Sequence, residues 1–293
     1  MSAATAGDID SVNHVGLVVH DLHAAVSFYE RLGFIFSPLS MHKGSMTPGE
    51  AEIPYGSGNR CAIFRHNYLE IVAHVDKERF DFGIKGYLSR FEGAHIICFG
   101  CGDAHVVNKR VSAEGLTTSG VIPLQRNVGT PDGERTARFD CVHFPRSATP
   151  EGLIQAAHHR TPEYIHQARY LGHPNRVNAL SNVFLCVDNP DDHAALYAKL
   201  IGRPPVRDGV SRVFRLPVAS AVTIVGADDL QAVLPGALPA AVPCIAGYEF
   251  STEDLGLVRR RMNDEHIPFA ECGRGVMVPA SAAFGASIIF GAA

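Results

Sequence analysis

The stretch VNHVGLVVHDLHAAVSFYERLGF, residues 12–34, divides at Asp21. Ahead of Asp21 the side chains alternate with the period of a strand. Val15, Leu17 and Val19 make one apolar face; His14, Gly16, Val18 and His20 make the other. Behind it Leu22, Ala25, Val26, Tyr29 and Leu32 recur at helical spacing. Asp21 stands where a helix takes its N-cap, and Gly33 where it takes a stop. The spacing predicts a strand feeding an amphipathic helix, with Val15, Leu17 and Val19 packed against that helix. His14 falls on the opposite face, a polar group early in an apolar strand.

The same grammar returns three times. AHIICFGCGDAHVVNKRVSAEGL, from Ala94, has Asp103 as cap, Val107 and Val111 on one helical face and Gly115 as stop. SNVFLCVDNPDDHAALYAKLIGR, from Ser181, has Asp191 or Asp192 as cap, then Leu196, Leu200 and Gly202. AGYEFSTEDLGLVRRRMNDEHIPF, from Ala246, is a weaker strand followed by Leu255, Val258 and Met262. Strand-like runs follow each copy, RCAIFRH and YLEIVAH after the first and GLIQAAHH late in the second. Repetition of this kind outweighs any single motif. The predicted class is α+β, built of four tandem βαβββ units. The main boundary falls in YLGHPNRVNA (170–179), which divides the units into pairs at 8–170 and 178–293.

The chain has 293 residues, is 46% hydrophobic and carries a formal net charge of −4. That is material for one large or two ordinary cores. The charge balance argues against nucleic-acid binding, and no apolar run is long enough to cross a membrane. The first ten residues, MSAATAGDID, lack the basic and apolar regions of a secretory signal. Seven scattered cysteines suit a reducing cytoplasm better than a disulfide framework.

Tandem units with a His on the first strand and a Glu on the last resemble the vicinal oxygen chelate superfamily, in particular its glyoxalase-like members. The resemblance implies that paired units form cupped sheets around a cavity. It also implies one divalent metal ion (Fe, Zn, Mn, Co or Ni), bound by the first and last strands of each unit. Carried over by position, the ligands are His14 and Glu70 from the first unit and His95 and Gln155 from the second; the last two units offer Asn182, Gly247, Thr223 and about Ile288. Glu70 supports this reading independently, because a carboxylate within an apolar strand is costly unless its charge is compensated. Gln155 departs from the family's isomerases, which usually place a carboxylate there, and an amide accepts no proton at neutral pH. The second pair, lacking ligands, completes the cavity, mediates a homodimer or stabilises the first.

The implied activity is a glyoxalase-like isomerase, lyase or epimerase acting on a small substrate with adjacent oxygens through an enolate-like or oxyanionic intermediate. An Fe(II)-dependent extradiol-type dioxygenase and a metal-free small-molecule-binding or resistance protein are the alternatives. The general base is unassigned; His74, His158 and His159 close the last strands and are candidates. HHRTPEYIHQ (158–167) and the Gly/Pro/Ser-rich segment 37–59 are expected to cover the cavity. Cys98 and Cys101 form a lone CxxC on a strand and are expected to be packing residues.

Overall fold

The computed structural model describes residues 6–44 and 52–293. Four βαβββ units follow one another. The first is β1 (Ile9–Val18), α1 (Leu22–Arg31), β2 (Ser40–Gly44), β3 (Ile53–Ile63) and β4 (Tyr68–His74). A short helix α2 (Ile84–Leu88) leads into the second: β5 (Gly93–Cys101), α3 (Ala104–Ala113), β6 (Val121–Thr130), β7 (Gly133–His143) and β8 (Leu153–His159). The third is β9 (Val177–Val187), α4 (Pro190–Ile201), β10 (Val206–Asp208), β11 (Ser211–Leu216) and β12 (Ser220–Gly226). After α5 (Leu230–Val233) comes the fourth: β13 (Cys244–Thr252), α6 (Leu255–Asp264), β14 (Ala270–Cys272), β15 (Gly275–Val278) and β16 (Ser287–Ala292).

Each unit places its first strand beside its last, in parallel: β1 with β4, β5 with β8, β9 with β12, β13 with β16. The first strands of paired units meet antiparallel, β1 with β5 and β9 with β13. Two eight-stranded cupped sheets result, β2-β3-β4-β1-β5-β8-β7-β6 and β10-β11-β12-β9-β13-β16-β15-β14. They touch through one strand pair, Ala94 with Ile245.

Helix starts follow the expected chemistry. Asp21 accepts from the Ala24 amide, Asp103 from His105 and Asp254 from Leu257. In the third unit the cap is Asn189, not Asp191 or Asp192: its side chain accepts from both of their amides, and Pro190 occupies the first helical position. Val15, Leu17 and Val19 enter one core with the inward faces of α1, α3, α4 and α6, which both sheets share. At its centre the Tyr29 and Tyr248 hydroxyls bond to each other, and Phe34 packs on Phe250 and Phe290. Asn67 bonds both backbone groups of Leu180, at 2.9 Å each.

The segment 37–59 is more regular than a loop. Residues 40–44 form β2 and 53–59 belong to β3, while 45–51 lie outside the described residues.

The tyrosine pair generates a test. Replacing one tyrosine by Phe strands the other buried hydroxyl, at a cost of about 1–3 kcal/mol. The double variant Tyr29→Phe/Tyr248→Phe removes both partners and should cost less than the sum of the singles. Urea unfolding of the three variants checks this; strictly additive losses would contradict it.

Candidate functional site

The helix caps supply a common frame. His14 lies seven residues ahead of its cap Asp21. The residues seven ahead of Asp103, Asn189 and Asp254 are Ile96, Asn182 and Gly247. Strand register agrees. The residue two further along pairs with Glu70, Gln155, Thr223 or Ile289 in successive units, through Gly16, Cys98, Phe184 and Glu249. The last-strand positions in the first three units are therefore as expected, and the fourth is Ile289 rather than Ile288. The first-strand position of the second unit is Ile96, not His95. A one-residue slip moves a side chain to the other face of a sheet.

His14 and Glu70 do come together. His14 Nε2 stands 3.9 Å from Glu70 Oε2 on the inner face of the first cup. The imidazole stacks on Tyr68 with centroids 4.5 Å apart, and its Nδ1 is 2.9 Å from Asn13 Oδ1. An amide oxygen only accepts, so this network assigns the proton to Nδ1 and leaves the Nε2 lone pair facing Glu70. Asn59, on β3, donates its Nδ2 to the other carboxylate oxygen. Burial pushes His14 well below its ordinary range, and the charges of His159 and Arg126 add to that. Burial raises Glu70, against the opposing effects of the Asn59 bond and Arg126. The contact is thus not an ion pair: one partner is held neutral, and the other is biased towards its acid form. In the third unit the same two slots hold Asn182 and Thr223, which bond each other directly at 2.9 Å.

His95 is not brought to this pair. The β1–β5 register shifts between Gly16 and Leu17, whose partners are Ile96 and Ala94, and His95 is the unpaired residue of that bulge. Its Nε2 bonds the Phe91 carbonyl at 2.8 Å, and its ring stacks on Phe91 beside Tyr87 of α2. Gln155 shares the inner face with Cys98 and His143, its register partners. His74 is tied to the Arg79 carbonyl at 3.0 Å. His159 lies on the inner face and packs against Phe139, and burial lowers it to about 3. Cys98 is a packing residue with Cys141 and Ala157.

Two features were not legible beforehand. Arg126, on the edge strand β6, reaches into the cup: its charge acts on His14, Glu70, Tyr68, Cys61, His42 and His159. Nothing in LQRNVG marks that residue as inward. The segment after β8 does cover the cup as expected, but it does so with apolar groups: Ile165 and Tyr170 pack with Cys61, Ile63, Tyr68 and Ala137. The His166 side chain bonds the Phe64 carbonyl at 2.8 Å and so pins the arm to the first unit.

The family model for the glyoxalase-like domain matches residues 12–201. The chain belongs to the glyoxalase-like domain family, with the fold of the vicinal oxygen chelate proteins. A hypothetical protein from Staphylococcus aureus aligns over 96% of this chain and 98% of its own, at 12% identity and a TM-score of 0.62. A variant of 4-hydroxymandelate synthase from Streptomyces coelicolor aligns over 90% of this chain and 77% of its own, at 13% identity and a TM-score of 0.55. A variant methylmalonyl-CoA epimerase from Streptomyces coelicolor covers 52% of this chain and 99% of its own, at 16% identity and a TM-score of 0.35. No curated protein matches the chain. These likenesses concern the fold.

The divalent metal expected in this superfamily finds only part of its donor set here. His14 and Glu70 converge, His95 is spent on the Phe91 carbonyl, and the slot it was expected to fill holds Ile96. Among the described residues no group of three or more His, Cys, Asp or Glu is arranged to hold a metal ion. The set His14, Glu70, His95 and Gln155 therefore does not fit a resident metal.

The opposed shifts of the pair predict opposed pH effects on stability. Native His14 takes up a proton less readily than unfolded histidine, so its contribution is lost as pH falls below the ordinary 6.5. Native Glu70 holds its proton more tightly than unfolded glutamate, so its contribution is present below 4.5 and lost as pH rises through the native value. Relative to wild type, Glu70→Gln should gain stability as pH rises from 4.5, and His14→Gln as pH falls below 6.5. Urea unfolding across pH measures both; differences independent of pH would contradict the assignment.

Proposed function

We propose that the first cup is the active site of a glyoxalase-like isomerase, epimerase or lyase that moves a proton on a small oxygen-bearing substrate. The observation that carries this reading is the His14–Glu70 pair, 3.9 Å apart on the inner face of the cup. Two titratable groups whose surroundings push them to opposite protonation states are matched to base and acid roles. His14 Nε2, with its lone pair free, takes a proton from the carbon beside a carbonyl. The acid form of Glu70 returns a proton to the same region of the substrate. Asn13 and Tyr68 fix the imidazole plane and tautomer; Asn59 fixes the carboxyl group.

The negative charge that develops on the substrate oxygen is stabilised by Arg126. The arm bearing Ile165 and Tyr170 keeps bulk water from the pair. No step requires Gln155, which lines the inner face beyond Cys98. Chemistry that needs two histidines and a carboxylate on one metal, as in the extradiol-type alternative, lacks its second histidine here. Six of the seven cysteines are buried and none is bridged, which supports a reducing, cytoplasmic setting.

The test is hydrogen exchange. A panel of small 2-oxo and 3-oxo compounds is incubated with enzyme in D2O and followed by proton NMR. Wild type should introduce deuterium beside the carbonyl, with His14→Ala and Glu70→Gln slower by about 10²–10⁴-fold, the usual worth of a general acid or base. Exchange that survives both substitutions, or that depends wholly on an added divalent ion, would contradict the reading.

A further inference from the structure

Over the first cup lies a cavity of about 270 Å³, bounded by β3, β6, the segment 37–41 and the arm 164–170. It is close to the lower end of ligand pockets, about 300–1,000 Å³, and so is sized for a small molecule. Arg126 and Arg169 both line it, and among the described residues no Asp or Glu does. Neither arginine takes part in any ion pair among the described residues. Arg169 is anchored at the exposed rim by the Gly129 carbonyl and lies over the Tyr170 ring. Arg126 is half-buried, and Glu70 feels its charge from beyond ion-pair distance.

The second cup handles its arginine differently. Arg274, although exposed, meets Glu249 at 2.9 Å and lies over the Phe184 ring, so its charge has a carboxylate partner. Leu230, Leu234 and Ala237 fill that cup alongside Phe184 and Met277. The first cup keeps both a cavity and a cation that has no carboxylate partner among the described residues. A guanidinium held this way, partly removed from water, is built to meet an oxyanion.

The remaining wall narrows the ligand class. Leu39, Met41, Ile63, Ile165 and the rings of Tyr164 and Tyr170 give it an apolar body. Gln167 spends its amide nitrogen on the Gly129 and Tyr164 carbonyls, and its Oε1 is buried with no partner among the described residues. A buried amide oxygen of that kind calls for a donor.

We propose that this cavity binds an organic carboxylate with an aromatic or branched apolar body and a hydroxyl or N–H donor. Arg126 faces the carboxylate, Arg169 screens the mouth, and Gln167 Oε1 accepts from the donor. This deepens the proton-transfer reading, on which it rests only for what happens at the ligand's reactive carbon; the anion preference stands on the cavity itself.

Calorimetric titration with 3-phenyllactate and its neutral amide, 3-phenyllactamide, tests it. Wild type should bind the carboxylate more tightly than the amide. Arg126→Met should weaken the carboxylate about tenfold or more and leave the amide unchanged, since a charged hydrogen bond is worth at least that factor. Arg126→Lys should recover part of the loss, which separates a lost charge from a misfolded cup. Equal affinity for carboxylate and amide, no binding of the carboxylate to wild type, or an Arg126→Met variant with wild-type preference would each overturn the proposal. If deuterium exchange fails while the carboxylate binding holds, the proton-transfer reading falls and the anion site stands.

Discussion

The antiparallel ladder between β1 and β5 is the constraint on which the first cup depends. It is not a regular ladder. Besides a shift near Asp10, it shifts register near Asn13 and near His95, and these two re-aim side chains of the site. The first brings the Asn13 amide against the ring of His14. The second takes His95 out of the inner row and gives that position to Ile96. The content of the site, one histidine rather than two, is therefore decided by backbone register rather than by composition.

Around that ladder the environment sets protonation. A neutral imidazole and a carboxyl group share a buried face with Tyr68, Cys61 and Cys98, all of whose acid forms burial also favours. The charge of Arg126 acts on His14, Glu70, Tyr68 and Cys61, and it opposes the burial effect at Glu70. Burial holds the reactive pair away from its solution states, while the arginine supplies the field that an anionic ligand needs. The second cup has the same architecture with its polar slots closed: Asn182 bonds Thr223 and Arg274 pairs Glu249. The cavity of about 270 Å³ lies over the first module.

Much of this was legible in the sequence. The capped strand–helix pairs marked the units, because Asp21 and Asp103 do cap helices and Gly33, Gly115 and Gly202 adopt the left-handed conformation. Glu70 stood out because a carboxylate in YLEIVAH has no cheap place to go. In every unit the strand right after the helix escaped notice. These are β2, β6, β10 and β14, edge strands without a buried face, so their sequences carry no alternation. Arg126 lies on one of them and was missed for the same reason. His95 misled because histidine identity outweighed spacing: counting seven residues back from Asp103 reaches Ile96.

The central claim is the state of His14 beside Glu70, and the ring nitrogens report it directly. A ¹⁵N NMR titration of wild type, with His14 assigned by its absence in His14→Ala, reads tautomer, charge and ligation together. The account predicts a ring protonated at Nδ1 that stays neutral as the pH falls through the ordinary 6.5, with an Nε2 signal unmoved by chelator. An imidazolium at pH 7, or an Nε2 resonance that shifts when divalent ions are removed, would contradict it.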